Sequence, residues 1–402
     1  MRLVGLVLCC VMLAGCGHAL TSSVIPAAPE SERTLPLAGS GYKTIFSFDG
    51  KDGAGPDAEL IDVKGTFYGV TDGGGTTDAG TFFKISPSGT EKTLYSFGSV
   101  AGDGTYPQFG PLVEIGGTFY GTTYFGGKSN YGTVFKITPA GSEKVLYSFK
   151  GGKDGRGPEA GLTVVKGVLY GTTTLGGTGT CASNEGCGTV YKVTTSGDET
   201  VLHSFKNGND GAGPEGGLTY INGALYGTTE SFGQYLNGTI FKISLTGSEK
   251  VIHQLGASNP DGSAPTGNLT AVNGVLYGTT KYGGSYGFGS GTSGTVFRVT
   301  TSGSEKVIHS FGASGDGAYP YYATLANVNG VLYGATNEGG ASADGTVFKV
   351  TTGGGESVLY SFKGGKDGSA PRAGPIASNG KLYGGASAGG ASGDGTIYTI
   401  SP

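Results

Sequence analysis

The chain has 402 residues, a net charge of −4 and only 14% charged residues. It shows no basic stripe, which excludes nucleic acid as a partner class. Glycine (83) and proline (16) make up about a quarter of it; this rules out an α-helical repeat and would signal low complexity if the glycines were not periodic.

Residues 1–15 read as a signal peptide. Arg2 is a positive start, and Leu3 to Leu13 is an apolar run too short to span a bilayer. Leu13-Ala14-Gly15-Cys16 resembles the bacterial lipobox, in which small residues fit the lipoprotein signal peptidase and the cysteine thiol takes a diacylglycerol. The alternatives are an ordinary secretory signal and a fortuitous apolar start. Gly17 follows Cys16, and by resemblance to Gram-negative lipoproteins the absence of Asp there favours the outer membrane. The expected membrane contact is therefore an N-terminal lipid on a bacterial envelope protein. Residues 16–40 lack strand alternation and are rich in Ser, Ala and Pro, so they read as a tether.

Residues 41–402 say nearly the same thing seven times. The tyrosine of a GxLYG-type strand recurs at Tyr68, Tyr120, Tyr170, Tyr226, Tyr277, Tyr333 and Tyr383, in steps of 50 to 56 residues. A period near 50 marks a propeller or solenoid array. Each unit holds four short strand signals rich in β-branched and aromatic residues, as in GLTVV, VLYGTT, GTVYKVT and VLHSF. Asn-Gly at Asn222, Asn273, Asn329 and Asn379 suits a two-residue hairpin between the first and second strands. The first segment, Lys43 to Phe48, matches a fourth strand, and the C-terminal GTIYTISP matches a third with no fourth after it. The expectation is an all-β, seven-bladed β-propeller with four-stranded blades, closed by the N-terminal strand completing the last blade.

The recurring LYGTT, Gly-Gly loop, GTVFKI, LYSF and Asp-Gly-x-x-Pro resemble the GloVer tandem repeat of bacterial cell-surface proteins, over residues 41–402. The resemblance implies a β-propeller and a surface location, and brings no activity. Kelch repeats share the period, but the chain has no Trp.

Cys9 and Cys10 would leave with the signal, so Cys181 and Cys187 remain as a pair. In an exported protein they read as a disulfide, against two free thiols. No His shares their loop, which argues against a metal site there. His203, His253 and His309 occupy one repeat slot, filled elsewhere by Phe46, Tyr95, Tyr147 and Tyr360, so they are expected to point apart. The aspartates of Asp-Gly-x-x-Pro read as turn formers, with calcium binding the rival. No catalytic, metal or cofactor residue is expected.

The loops between blades and those between second and third strands fall on one end and carry the aromatic residues. Contact residues expected there are Tyr124, Phe125, Phe232, Tyr235, Tyr282, Tyr286, Tyr319 and Tyr321. The expected function is binding of a glycan or envelope protein by this face. The rivals are a polysaccharide-active enzyme and a passive structural surface protein. Of the glutamates in those second-to-third-strand loops, Glu185, Glu230 and Glu338, none is paired by spacing.

Overall fold

The computed structural model describes residues 41–181, 185–257, 260–285 and 293–402. The expected signal peptide, Cys16 and tether, and also Tyr286, lie outside them.

The Asn-Gly turns set the first step of the fold. Asn222, Asn273, Asn329 and Asn379 have φ of 51, 50, 53 and 49°, and the glycines after them 83, 82, 84 and 73°. Two successive positive φ values make a type I′ turn, whose twist matches that of the strands it joins. In the third unit, Thr163–Val165 turns back into Val168–Thr173, followed by Thr189–Thr194 and Glu199–Ser204, all antiparallel. Seven such four-stranded sheets form the blades of the propeller, blade one starting at Ile61 and blade seven at Ile376. Blade seven is composite. Its outer strand is Lys43–Ser47, which pairs with Thr396–Ile400 in the register Lys43 to Thr399 and Ser47 to Thr396.

The core lies between blades rather than within them. Tyr120, Val134 and Phe149 of blade two pack on Leu162, Leu169, Tyr191 and Val193 around blade three. The last join has the same form, with Phe48, Tyr383 and Ile397 against Leu60, Phe67 and Phe83. Both faces of a blade are thus covered, which explains the weak apolar alternation along the strands. The glycine of each LYG strand is a packing requirement. A Cβ on Gly121 would sit 2.7 Å from Cζ of Phe135 and 2.8 Å from Cδ2 of Leu112. Only a bare backbone lets the third-strand ring lie across the second strand. Among the described residues no helix is long and apolar enough to cross a membrane.

Candidate functional site

The site is built by the linkers that carry the chain from one blade's outer strand to the next blade's inner strand. Each contains Asp-Gly, and the Asp carboxylate ties the turn. Asp154 accepts the Lys150 backbone N–H at 2.7 Å, and Asp103 accepts that of Gly104 at 2.7 Å. The residue before proline is left-handed in every linker, with φ of 53 to 65°. Gly and Ala fill that position in five linkers, Tyr106 and Tyr319 in the other two, so two bulky residues are held in a conformation they disfavour. Proline then fixes the direction of the next residue.

That next residue is a variable position in the repeat: Asp57, Gln108, Glu159, Glu215, Thr266, Tyr321 and Arg372. A second variable position follows the second strand: Asp72, Tyr124, Thr174, Glu230, Lys281, Asn337 and Ser387. The two sets meet around the propeller axis. Tyr322, beside Tyr321 in the linker to blade six, stacks on Phe109 of the blade-two linker at 3.8 Å between ring centres. Its hydroxyl lies 2.7 Å from Oε1 of Glu159 and 3.0 Å from Oε2 of Glu215. Its backbone N–H donates to Thr266 Oγ1 at 3.1 Å. Only a side chain at the axis can reach the linkers of blades two, three and four together. Tyr322 is 6% exposed and has a φ of 55°, so this central position is both buried and strained.

Carboxyl groups dominate one side of this mouth. Burial raises the Glu159 and Glu215 carboxyls above the ordinary range; their mutual charge and that of Glu230 push Glu215 up further. A phenol has one proton to donate, so contact with both carboxyls at once calls for a proton on one of them. Burial also raises Glu59, beside Thr324, to about 7. On the other side Arg372 donates to Asp57 Oδ2 at 2.8 Å, and its guanidinium carbon lies 5.6 Å from the Phe109 ring centre. Buried atoms of Asp57, Asp72, Asn337 and Ser387 have hydrogen-bonding capacity that no protein group meets.

Two aromatic grooves flank the mouth. The first, about 360 Å³, is lined by Tyr124, Phe125, Asn130, Tyr131, Arg156, Leu175 and Glu185, with Arg156 ion-paired to Glu185 and 5.6 Å from the Tyr131 ring centre. The second, about 330 Å³, is lined by Lys281, Tyr282, Tyr319, Tyr321, Asn337, Glu338 and Arg372, with Lys281 Nζ 4.1 Å from the Tyr321 ring centre. Of the residues expected to make contacts, Tyr124 and Phe125 thus fall in one groove and Tyr282, Tyr319 and Tyr321 in the other. Phe232 packs against the core between blades three and four. Tyr235 is exposed but lines a separate depression with Val251 and His253. Cys181 and Cys187 form a disulfide with their Cα atoms 5.2 Å apart, and Cys187 is buried against the same core as Phe232. Glu230 sits beside Glu215 at the mouth. Its partners come from the linkers, and for that reason spacing within its own loop does not reveal them.

Fold and site together define a seven-bladed β-propeller with a chemically varied axial mouth set on a repetitive frame. The Gloeobacter/Verrucomicrobia repeat model matches residues 34–183 and 178–398, and the chain belongs to that family. A search of the curated proteins finds no match. Among solved structures it is similar to virginiamycin B lyase from Staphylococcus aureus, with 14% identity, 90% of this chain and 99% of that one covered, and a TM-score of 0.56. It is also similar to a puromycin hydrolase, with 12% identity, 83% of this chain and 50% of that one covered, and a TM-score of 0.53. At such identities the likeness is one of fold.

Proposed function

We propose that the protein is an envelope-anchored binding propeller that captures a glycan across its axial mouth and the two flanking grooves. The observation that carries this reading is the convergence on the axis of the two variable repeat positions. A frame that keeps its strands and turns while the side chains meeting at one point change varies chemistry where a ligand would sit. Carboxyls, phenols and an amide suit sugar hydroxyls, and the open aromatic faces of the grooves suit the apolar faces of sugar rings. Two grooves on either side of the mouth fit an extended chain better than a small molecule.

In pull-downs from purified bacterial glycans, Tyr124→Ala and Tyr321→Ala should each weaken capture by about 1–3 kcal/mol, roughly 5- to 150-fold, without lowering the melting temperature. Tyr235→Ala, outside both grooves, serves as the comparison. Equal capture by all three variants and the wild type would remove the mouth and grooves from consideration. The anchoring half of the reading rests on Leu13 to Cys16. Cys16→Ser should move the protein from the membrane to the soluble fraction of a bacterial host, and unchanged membrane association would refute it.

A second reading, a polysaccharide-active enzyme, is favoured by one arrangement, the two carboxyls sharing the Tyr322 hydroxyl. A raised carboxyl beside a second one can act as a general acid. Turnover of a dye-labelled polysaccharide that is lost in Glu159→Gln/Glu215→Gln, with capture retained, would select this reading over pure binding.

A further inference from the structure

The outer edges of five of the seven clefts between blades repeat one polar arrangement; the cleft before blade one has Phe46 in the slot, and in the cleft before blade seven Tyr42 stands in place of the Glu. A fourth-strand residue reaches the Asp of its own Asp-Gly turn, and the Glu that opens the next blade's fourth strand closes the group. In two of these five the fourth-strand residue is a tyrosine that donates its proton to the Asp, Tyr95 to Asp103 at 2.7 Å and Tyr147 to Asp154 at 2.6 Å; Tyr360 donates likewise to Asp367 at 2.7 Å in the cleft that lacks the Glu. In three successive clefts it is a histidine, giving His203–Asp210–Glu249, His253–Asp261–Glu305 and His309–Asp316–Glu356. The histidines do not meet one another, as expected from their common slot. Each meets two carboxylates instead, and in each group the three ligand atoms lie within 4.8 Å of one another.

The middle group is the most informative. His253 Nε2 lies 3.7 Å from Asp261 Oδ2 and 4.0 Å from Glu305 Oε2, and the two carboxylate side chains are only 8 and 10% exposed. Neither His253 Nε2 nor Glu305 Oε1 has a hydrogen-bond partner. The corresponding Glu oxygen is also unpartnered in the tyrosine clefts, at Glu143 and Glu199, so the histidine nitrogen is what sets this cleft apart. Asp261 is held firmly: Oδ2 accepts the N–H of Gly256 at 2.8 Å, and Oδ1 that of Gly262 at 2.8 Å. Such outer bonds orient a ligating carboxylate. Groups sharing one metal at about 2.0–2.2 Å from each ligand stand on the order of 3.3 Å apart, so a small inward movement brings all three into range.

We propose that the three histidine clefts each bind one divalent transition-metal ion of the zinc type, through one imidazole and two carboxylates, with a fourth position open to solvent. Imidazole favours zinc over calcium, and two carboxylates neutralise its charge. Each ion joins the outer strand of one blade to that of the next, so its role is to staple blades three to six. The repeat itself supplies the test variant, because tyrosine fills the same slot in other blades.

The experiment titrates ZnCl2 into EDTA-treated, desalted full-length protein, by calorimetry and by thermal melting. The expected result is up to three bound ions per chain and a melting temperature that rises with zinc. His253→Tyr should remove one ion and His203→Tyr/His253→Tyr/His309→Tyr all three, while melting in EDTA stays near that of the wild type. Glu305→Gln, which keeps the shape of the side chain, should remove one ion and covers the case in which a tyrosine variant fails to fold. Wild-type stoichiometry in both Glu305→Gln and the triple variant, or no rise in melting temperature with zinc, would overturn the proposal. A larger thermal rise with CaCl2 than with ZnCl2 would overturn the assignment to a transition metal.

Discussion

Deletion of residues 41–48 should lower the melting temperature by more than about 10 °C or abolish cooperative melting, because the segment closes the whole ring rather than decorating it. Lys43–Ser47 supplies the outer strand of blade seven, and its loss leaves Thr396–Ile400 as an unpaired edge. Phe48 is fully buried against Phe83, with ring centres 5.3 Å apart, so the same deletion opens the core between blades seven and one. Tyr42 stacks on Tyr360 at 3.8 Å and donates its hydroxyl to the Asp367 carbonyl at 2.5 Å, which ties the segment to blade six as well. Burying a large apolar side chain contributes about 1.5–3 kcal/mol, and several are lost together with the ladder hydrogen bonds. That sum rivals the whole stability of an ordinary domain. Differential scanning calorimetry of the deletion beside the full-length protein is the measurement. An unchanged melting temperature would show that the N-terminal strand is dispensable to the ring.

The fold was legible because the repeat displays its own turn chemistry. Asn-Gly announces the hairpin, the interrupted last unit announces where the ring closes, and seven similar units leave little room for another architecture. The site was legible only in part. The aromatic loop face was visible from strand order, and it delivered Tyr124, Phe125, Tyr282, Tyr319 and Tyr321 to the grooves. The centre was missed because its groups come from different blades. Glu159 and Glu215 are separated by a full repeat, and Tyr322 reaches both from the linker to blade six. Spacing arguments compare residues along the chain, whereas a ring brings together equivalent positions of all its units. The available signal was variation: within a repeat that keeps Asp-Gly and proline, the next position runs Asp, Gln, Glu, Glu, Thr, Tyr, Arg. The common repeat slot of the histidines shows only that they do not meet each other. Their partners are turn aspartates and the first residues of neighbouring strands, both of which read as structural in isolation.

Stability should fall as pH rises from about 5 to 8, the reverse of a protein held together by carboxylate salt bridges. The groups responsible are the glutamates that open the fourth strands. Burial raises Glu91, Glu199, Glu249, Glu305 and Glu356 to about 7 and Glu143 to about 8, and the aspartates facing them push in the same direction. Opposing charges are present but weaker: His203, His253 and His309 beside Glu249, Glu305 and Glu356, and Lys150 beside Glu199. In the unfolded chain the same carboxyls titrate near about 4.3. Between the two values the folded protein holds more protons than the unfolded one, so raising the pH favours unfolding. The contribution is fully present below about 4.3 and is lost as pH passes through about 7 to 8. These side chains are only partly buried, and solvent screening holds each to roughly 1 kcal/mol or less. Six of them spread around the ring still amount to a shift of several degrees, about 5 °C or more. Melting curves at pH 5, 6.5 and 8, at constant ionic strength and with EDTA present, should show the decline. Replacing Glu143 and Glu199 by Gln should flatten it by removing two of the six groups. A melting temperature that is constant or rises over this range would mean that the clefts admit enough water to keep these carboxylates charged at no cost.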